Sequence, residues 1–464
     1  MGQRFVACDR EQSFLMPPDV REWLPARHLA WFVIDAVGEM DLEPFYGAYR
    51  VDGRSRPPYD PAMMVALLLY AYARGIRSSR VIERACEEDV AFRVLAAQQR
   101  PDHRRWRGSS CATRRRLPVC SARCSRCARS GLVKVGVIAV DGTKVLANAS
   151  RNENLDYEQL AREIVEEAKA VDAAEDELYG EARGDELPPE FATAQGRRGW
   201  LREAKQRLEA ERAASPQPVS RSRPKRVKEA KRRLEEELFT EVRANRAYEA
   251  YRARGRMKDG RRFGRPPDPY QPPVTPDGRV NISDPDSRVV KGLRGFLQGY
   301  NAQAVTNEHQ VVLAAEIETV GADFGHLEPM LDAAQRELEA AGIDERPEVL
   351  LADAGYWHGE QMQRIVDRGI EVLIPPDTGR RRTTRRNWDG GRYDQMRRVL
   401  ASDRGGELYR KRQPMIEPVF AQVKFNRGLD RFKRRGRGAV RAEWRLITAT
   451  HNLLKLHRHA LAAA

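Results

Sequence analysis

The chain has 464 residues, enough for a large buried core and for more than one domain. Its 82 Lys and Arg against 67 Asp and Glu leave a formal charge of +15, which favours a polyanionic partner, nucleic acid first and acidic membrane second. No run of about 18 apolar residues occurs, and no basic stretch followed by an apolar segment and a cleavage site opens the chain. Neither a membrane span nor an export signal is therefore expected, and a cytoplasmic location is. The six cysteines follow no evenly spaced framework, and Cys8 and Cys86 sit in ordinary contexts, so disulfides are not expected.

Residues 1–102 read as an all-helical N-terminal domain. Leu29, Phe32, Val33, Ala36, Val37 and Met40 recur at helical spacing, and Asp60-Pro61 supplies a cap and first turn for a run from Met63 to Tyr72. Ser78 or Ser79 opens a third helix and Asp89 a fourth. Short helices on tight turns suit either a helix-turn-helix-like DNA-binding module or a plain packing domain.

Between His103 and Arg129 the pattern fails. The stretch has neither helical nor strand periodicity, is rich in Arg, and holds Cys111, Cys120, Cys124 and Cys127. Three readings stand open: a zinc site, though the usual paired doublets are missing; a basic disordered loop; and a helix replaced by a compensated frameshift. We expect the last, with no zinc bound, because the segment breaks the local consistency of its neighbours.

Residues 130–151 and 279–464 read as one α/β domain, interrupted by a charged helical insertion over 152–278. Val135 to Val140 has a buried-strand pattern and ends on Asp141-Gly142, read as a turn into a second strand, Lys144 to Ala147. The insertion carries three apolar stripes: Tyr157 to Leu178, Trp200 to Leu208, and Val227 to Val242. Beyond it come a strand pair, Phe296 to Thr306 and Gln310 to Glu318, and a helix bearing Leu327, Leu331, Ala334 and Leu338. The short strand Glu348 to Asp353, a helix from Gly359 to Arg368 and a strand at Ile370 to Ile374 follow. A helix is expected to begin at Glu417-Pro418, and a last amphipathic helix carries Trp444, Ile447, His451 and Leu454, with His451 expected as a packed side chain.

Two apolar strands thus end on Asp141 and Asp353, and Glu417 opens a late helix. Phosphodiester cleavage needs hard oxygen ligands holding two Mg²⁺ ions, and three carboxylates on rigid elements can supply them. Taken singly, each acid is equally a turn or cap residue.

The segments AVDGTKVLANAS, LLADAGYW and IEPVFAQVKFNRGLDRFKRRG resemble the three acidic motifs of bacterial insertion-sequence DDE transposases. So do DPDSRVVKGLRGFLQGYNAQAV, the ending AEWRLITATHNLLKLHRH and, near the start, RPPYDPAMMVALLLYAYARGIRSSRVIE, so the likeness spans most of the chain in order. The resemblance implies an RNase H-like mixed sheet with flanking helices. It also implies Asp141, Asp353 and Glu417 as catalytic ligands of two Mg²⁺ ions, with Mn²⁺ as a substitute. A Tyr/Arg/Glu/Lys signature around the last acid assigns Tyr409, Arg412 and Lys424 to DNA, although Arg412 stands five residues before Glu417 where the signature expects four.

Basic clusters flank these residues: Arg380, Arg381, Arg382, Arg385 and Arg386 before them, and Arg431, Lys433, Arg434, Arg435 and Arg437 after. Such clusters neutralise phosphates or simply form a solvated face. Trp388, Tyr393 and Phe432 are candidates to stack bases, and Tyr356 or Trp357 to hold an unstacked one, with core packing the alternative. The function implied is transposition by end cleavage and 3′-hydroxyl strand transfer, on double-stranded DNA, by a homodimer. An inactive, DNA-binding remnant and a nuclease that cuts without joining are the alternatives.

Overall fold

The computed structural model describes residues 19–46, 59–103, 132–163, 219–253, 278–292, 295–377 and 390–463, with isolated positions from 204 to 212 and at 273. The four cysteines from Cys111 to Cys127, the zinc and frameshift readings, most of the first two insertion stripes, and the cluster from Arg380 to Trp388 lie outside the described residues.

The N-terminal helices are α1 (Leu29–Gly38), α2 (Glu43–Tyr46), α3 (Pro61–Ala73), α4 (Ser79–Glu88) and α5 (Val90–Leu95). Asp60 caps α3 through Ala62 N, with Pro61 in the first turn. Residues Met63 to Tyr72 of α3 are buried on every side. A helix apolar all round is a core element. α3 therefore has no face free to enter a groove. Nor do these helices stand apart: α1 and α3 share one apolar core with the sheet and with the C-terminal helix.

β1 (Val137–Leu146) is a single strand of ten residues. The expected turn at Asp141-Gly142 is corrected: both residues lie inside the strand, paired with Ala304 and Gln303 of β5 (Gly295–Asn307) in an antiparallel ladder from Ile138 to Leu146. Nine consecutive pairings outweigh a local turn preference. β4 (Arg288–Gly292) and β6 (Val312–Glu318) occupy successive parts of the far edge of β5. On the other side β7 (Val349–Leu351) pairs parallel with β1, and β8 (Glu371–Leu373) with β7. The mixed sheet therefore runs β4-β5-β1-β7-β8, with β6 also on β5.

Side chains alternate across the sheet. Ala139, Val145, Tyr300, Ala302 and Leu351 face a core built with α3, α11 (Arg412–Ala421) and α12 (Arg437–Ala462). Ile138, Val140, Val305, Leu350 and Val372 face the opposite core, under α7 (Leu327–Ala340) and α8 (Gly359–Asp367). Between α8 and α11 lie α9 (Gly391–Ala401) and α10 (Asp403–Arg410).

Among the described insertion residues, α6 (Arg223–Ala253) packs Val227, Ala230 and Leu234 against Leu160, Val280 and Ile282. The strands β2 (Asn154–Leu155) and β3 (Val280–Asn281) form their own ribbon, and no described residue of the insertion enters the central sheet. Arg233 of α6 pairs with Asp286, which also accepts from Arg437 N at 2.7 Å and so ties insertion to C-terminal helix.

Candidate active site

The site arises where β1 outlasts its neighbour. β7 pairs with β1 only from Val137 to Ala139. The same edge is taken up again at Leu146, whose N donates to Asp430 O at 3.1 Å and whose carbonyl accepts from Phe432 N at 2.8 Å. Between the two lies a notch, residues 140–145, whose backbone groups need other partners. Gly142 N donates to the Asp141 carboxylate at 2.7 Å, and the Lys144 carbonyl accepts from Lys424 Nζ at 2.7 Å.

Asp141 faces the α11 side, and its side chain is 18 % exposed. Its Oδ2 accepts from Arg412 Nη1 at 2.9 Å. Burial pushes this carboxyl up to about 6; Arg412 pulls against that, and Asp353 and Asp323 add to it as like charges. Asp353 follows β7 and caps a short 3-10 turn, Ala354–Tyr356, by accepting from Gly355 N at 2.8 Å. The two aspartates thus come from adjacent parallel strands, and each keeps the other in its field.

Arg412 opens α11. Burial works against its cation, but Asp141, Tyr409 and Asp353 hold it above its ordinary value. Arg412 donates to the Tyr409 hydroxyl oxygen, and burial pushes the phenol up. The unusual spacing of Arg412 from Glu417 is therefore no obstacle to its reaching Asp141.

The expected start of a helix at Glu417-Pro418 is also corrected. Glu417 lies in mid-helix, exposed, with Gln413 Nε2 donating to its carboxylate at 3.0 Å. Pro418 is tolerated there because Pro414 O, the acceptor its missing N–H leaves over, takes a hydrogen bond from Gln310 Nε2 at 2.8 Å. The ligand atoms of Asp141, Asp353 and Glu417 do not all lie within 4.8 Å of one another. Among the described residues, the group with ligand atoms within 4.8 Å of one another is Glu83, Asp102 and His103, in the N-terminal part. There His103 Nδ1 already lies 2.7 Å from Glu83 Oε2.

Lys424 sits in a wide π-turn, Gln422–Asn426. Its ammonium reaches Thr143 Oγ1 at 2.5 Å besides the Lys144 carbonyl, and burial lowers its pKa. Lys424 thus braces the notch through two of its three donors. Arg431, Lys433 and Arg435 are exposed on the loop that closes the notch, and Arg434 is half-buried. The loop is held by main-chain bonds from Lys433 N and Arg434 N to the buried Glu443 carboxylate at 3.0 Å, and Asn148 Nδ2 donates to Lys433 O at 2.8 Å. Arg437 is committed elsewhere, to Glu318 at 2.8 Å.

Of the aromatic candidates, Trp388 lies outside the described residues, Tyr393 is half-buried, and Trp357, Tyr356 and Phe432 take the core-packing alternative. Trp357 is 6 % exposed. Its ring stacks on Tyr393 with centroids 5.1 Å apart. Tyr356 is fully buried with its hydroxyl on Gln303, and Phe432 is fully buried against Tyr300 and Trp444. None of the three offers a free face to a base. His451 is packed as expected, with Nε2 3.0 Å from Gln310 O, and burial lowers it to about 4.

Sequence reading missed Asp323. Its Oδ1 accepts from Asn301 Nδ2 at 2.7 Å, Gln303 Nε2 at 2.9 Å and Lys144 Nζ at 3.2 Å, on the face of the sheet opposite Asp141. This cluster explains Gly142: a β-carbon there would lie 2.3 Å from Gln303 Nε2 and 2.6 Å from Asp323 Oδ1. In sequence Asp323 is an unremarkable acid in a loop, and only the strand register brings it under the site.

Two families match the chain: a transposase domain (DUF772) over residues 18–106 and a transposase DDE domain over residues 375–457. The second match contains Tyr409, Arg412, Glu417, Lys424 and the loop from Arg431 to Arg435. No curated protein and no solved structure matched. Among the described residues no helix is long and apolar enough to cross a membrane.

Proposed function

By its two matched domains the chain is a member of the insertion-sequence DDE transposases, and from that premise we propose that it cleaves DNA at the ends of its element and joins them to target DNA at the β1 notch. The observation that carries the proposal is the convergence of Asp141 and Asp353 from neighbouring parallel strands, with Arg412 of the DDE domain bonded to Asp141. We read the β4-β5-β1-β7-β8 sheet as RNase H-like, supported by its antiparallel β5 and parallel β7 on either side of the strand bearing Asp141.

The acids suit a divalent cation. Their donors are hard carboxylate oxygens, and Arg412 already marks the place at Asp141 where positive charge is favoured. Asp141, Asp353 and Glu417 would hold two Mg²⁺ ions, or Mn²⁺ in their place. When bound, these would supply polarisation of the attacking and leaving oxygens. In cleavage a water oxygen bonds to phosphorus as the P–O3′ bond breaks and the 3′-oxygen takes up a proton. In joining, that 3′-oxygen attacks a target phosphodiester and displaces its 3′-oxygen. Tyr409 orients Arg412, and Lys424 fixes the notch backbone so that Asp141 keeps its direction. Arg431, Lys433, Arg434 and Arg435 neutralise phosphates without reading sequence. A homodimer would present two such sites to two ends.

The test uses linear duplex carrying the DNA that flanks the gene. Nicking in Mg²⁺, abolished by chelation and by Asp141→Asn, and followed by a joined product, is the expected result. Binding without nicking would favour the inactive remnant, and nicking without joining the nuclease.

A further inference from the structure

Phe425 is 81 % exposed, the most exposed large apolar side chain among the described residues. It does not lie on a loose loop. Val423 before it is buried, Lys424 is bonded to β1, and the buried Arg427 after it donates to Tyr72 O at 2.9 Å and Ile447 O at 3.2 Å. With the backbone fixed on both sides, the ring is held out in solvent.

Its direction follows from spacing. Gln413, Glu417, Ala421 and Phe425 are every fourth residue along α11 and its π-turn, and all four are exposed. Ile416, Val419, Phe420 and Val423 between them are buried. Phe425 therefore shares the open face of Glu417, about two turns further along. π-turns of this kind recur at functional sites.

The surroundings select the occupant. The exposed residues in line with Phe425 on this face, Gln413, Glu417 and Ala421, make no large apolar patch, which argues against a protein partner. Exposed Arg431, Lys433 and Arg435 follow on the next loop, giving the charge that a nucleic-acid backbone requires. Trp357, Tyr356 and Phe432 are buried, whereas Phe425 is the most exposed of the described aromatic side chains.

We propose that Phe425 is a stacking platform for an unpaired base at the cleaved or fraying DNA end, a role that rests on the DNA reading above. Base stacking on an aromatic is sequence-tolerant and changes affinity by about tenfold or more when the ring is removed. The experiment compares the full chain with Phe425→Ala, Phe425→Leu and Phe425→Trp on two duplexes of gene-flanking sequence. One is fully paired, and the other bears a three-nucleotide single-stranded tail containing 2-aminopurine.

The expected result is that the preference for tailed over paired DNA falls by about tenfold in the Ala and Leu variants and survives in the Trp variant. 2-Aminopurine should be quenched only by the aromatic forms. Leu retaining both the preference and the quench would overturn the proposal, as would wild-type protein that binds paired DNA without favouring the tail. Wild-type protein that binds neither duplex would retire the DNA reading itself, a distinguishable failure. Because Phe425 is exposed, these variants leave the core intact.

Discussion

Burial pushes both Asp141 and Asp284 up to about 6, yet the two carboxyls are held in opposite ways. Asp284 is fully buried beneath the insertion and accepts on Oδ1 from Tyr300 Oη at 2.7 Å and Gly436 N at 2.9 Å. Its neighbour Asp286 is matched by Arg233, which with the Arg437 amide lowers that carboxyl despite burial. This junction is closed, and its acids are consumed in joining α6 to α12. Asp141 keeps an opening to solvent, has Asp353 and Asp323 as like-charged neighbours, and has one guanidinium against it. A raised carboxyl is thus no mark of catalysis by itself; what separates the two regions is whether the acid remains reachable with its charge incompletely matched.

The largest effect that separates them is on activity. Asp141→Asn and Asp353→Asn should each lower the DNA nicking rate at least about a thousandfold, about 4 kcal/mol. For Asp141→Asn, folding stability should change by less than about 1 kcal/mol, because relief of a buried charge offsets the partner lost by Arg412. Single-turnover nicking and urea unfolding measure the two, and nicking that survives would break the assignment.

Asp286→Ala should do the reverse. It leaves the buried Arg233 without its main partner, and since Glu229 still bonds Arg233 at 3.2 Å the loss belongs at the low end for broken buried pairs, about 3 kcal/mol. Calorimetric melting reads this directly. An undiminished melting temperature would show that the insertion is not anchored here.

The pH response sharpens the contrast. The folded pKa of Asp284 lies above its ordinary 3.8, so the native state binds the proton more tightly. Its contribution is therefore fully present below about 4, declines as pH rises to about 6 and is flat above, by about 3 kcal/mol in all. Asp284→Asn keeps the Oδ1 acceptor and replaces the Oδ2 that lacks a partner among the described residues. The variant should overtake wild type across that window in paired unfolding curves, and parallel curves would contradict the assignment.

The smallest effect expected is at Arg412. Lysine keeps the charge facing Asp141 but not the fork that also reaches Tyr409. Arg412→Lys should slow nicking about tenfold, roughly 1.4 kcal/mol. A rate equal to wild type would reduce Arg412 to a point charge.

Local pattern in the sequence was enough for the short apolar runs before Asp141 and Asp353, the capped start of α3, the strand pair β5 and β6, and the packed His451. Period and caps encode such elements within a few residues of themselves. The resemblance added Glu417, Tyr409 and Arg412 as members of one site. What local pattern could not decide was whether Asp141-Gly142 turns or runs straight, since that depends on β5, more than 150 residues away in sequence. The same holds for Asp323, which reaches the site only through the β1–β5 register, and for Lys424, whose partner is a carbonyl exposed by the shortness of β7. Burial of Trp357 and Phe432, and exposure of Phe425, were likewise settled by packing. An aromatic residue in a basic sequence carries the same letter in either environment, and only the surfaces that meet around it determine whether its ring is free.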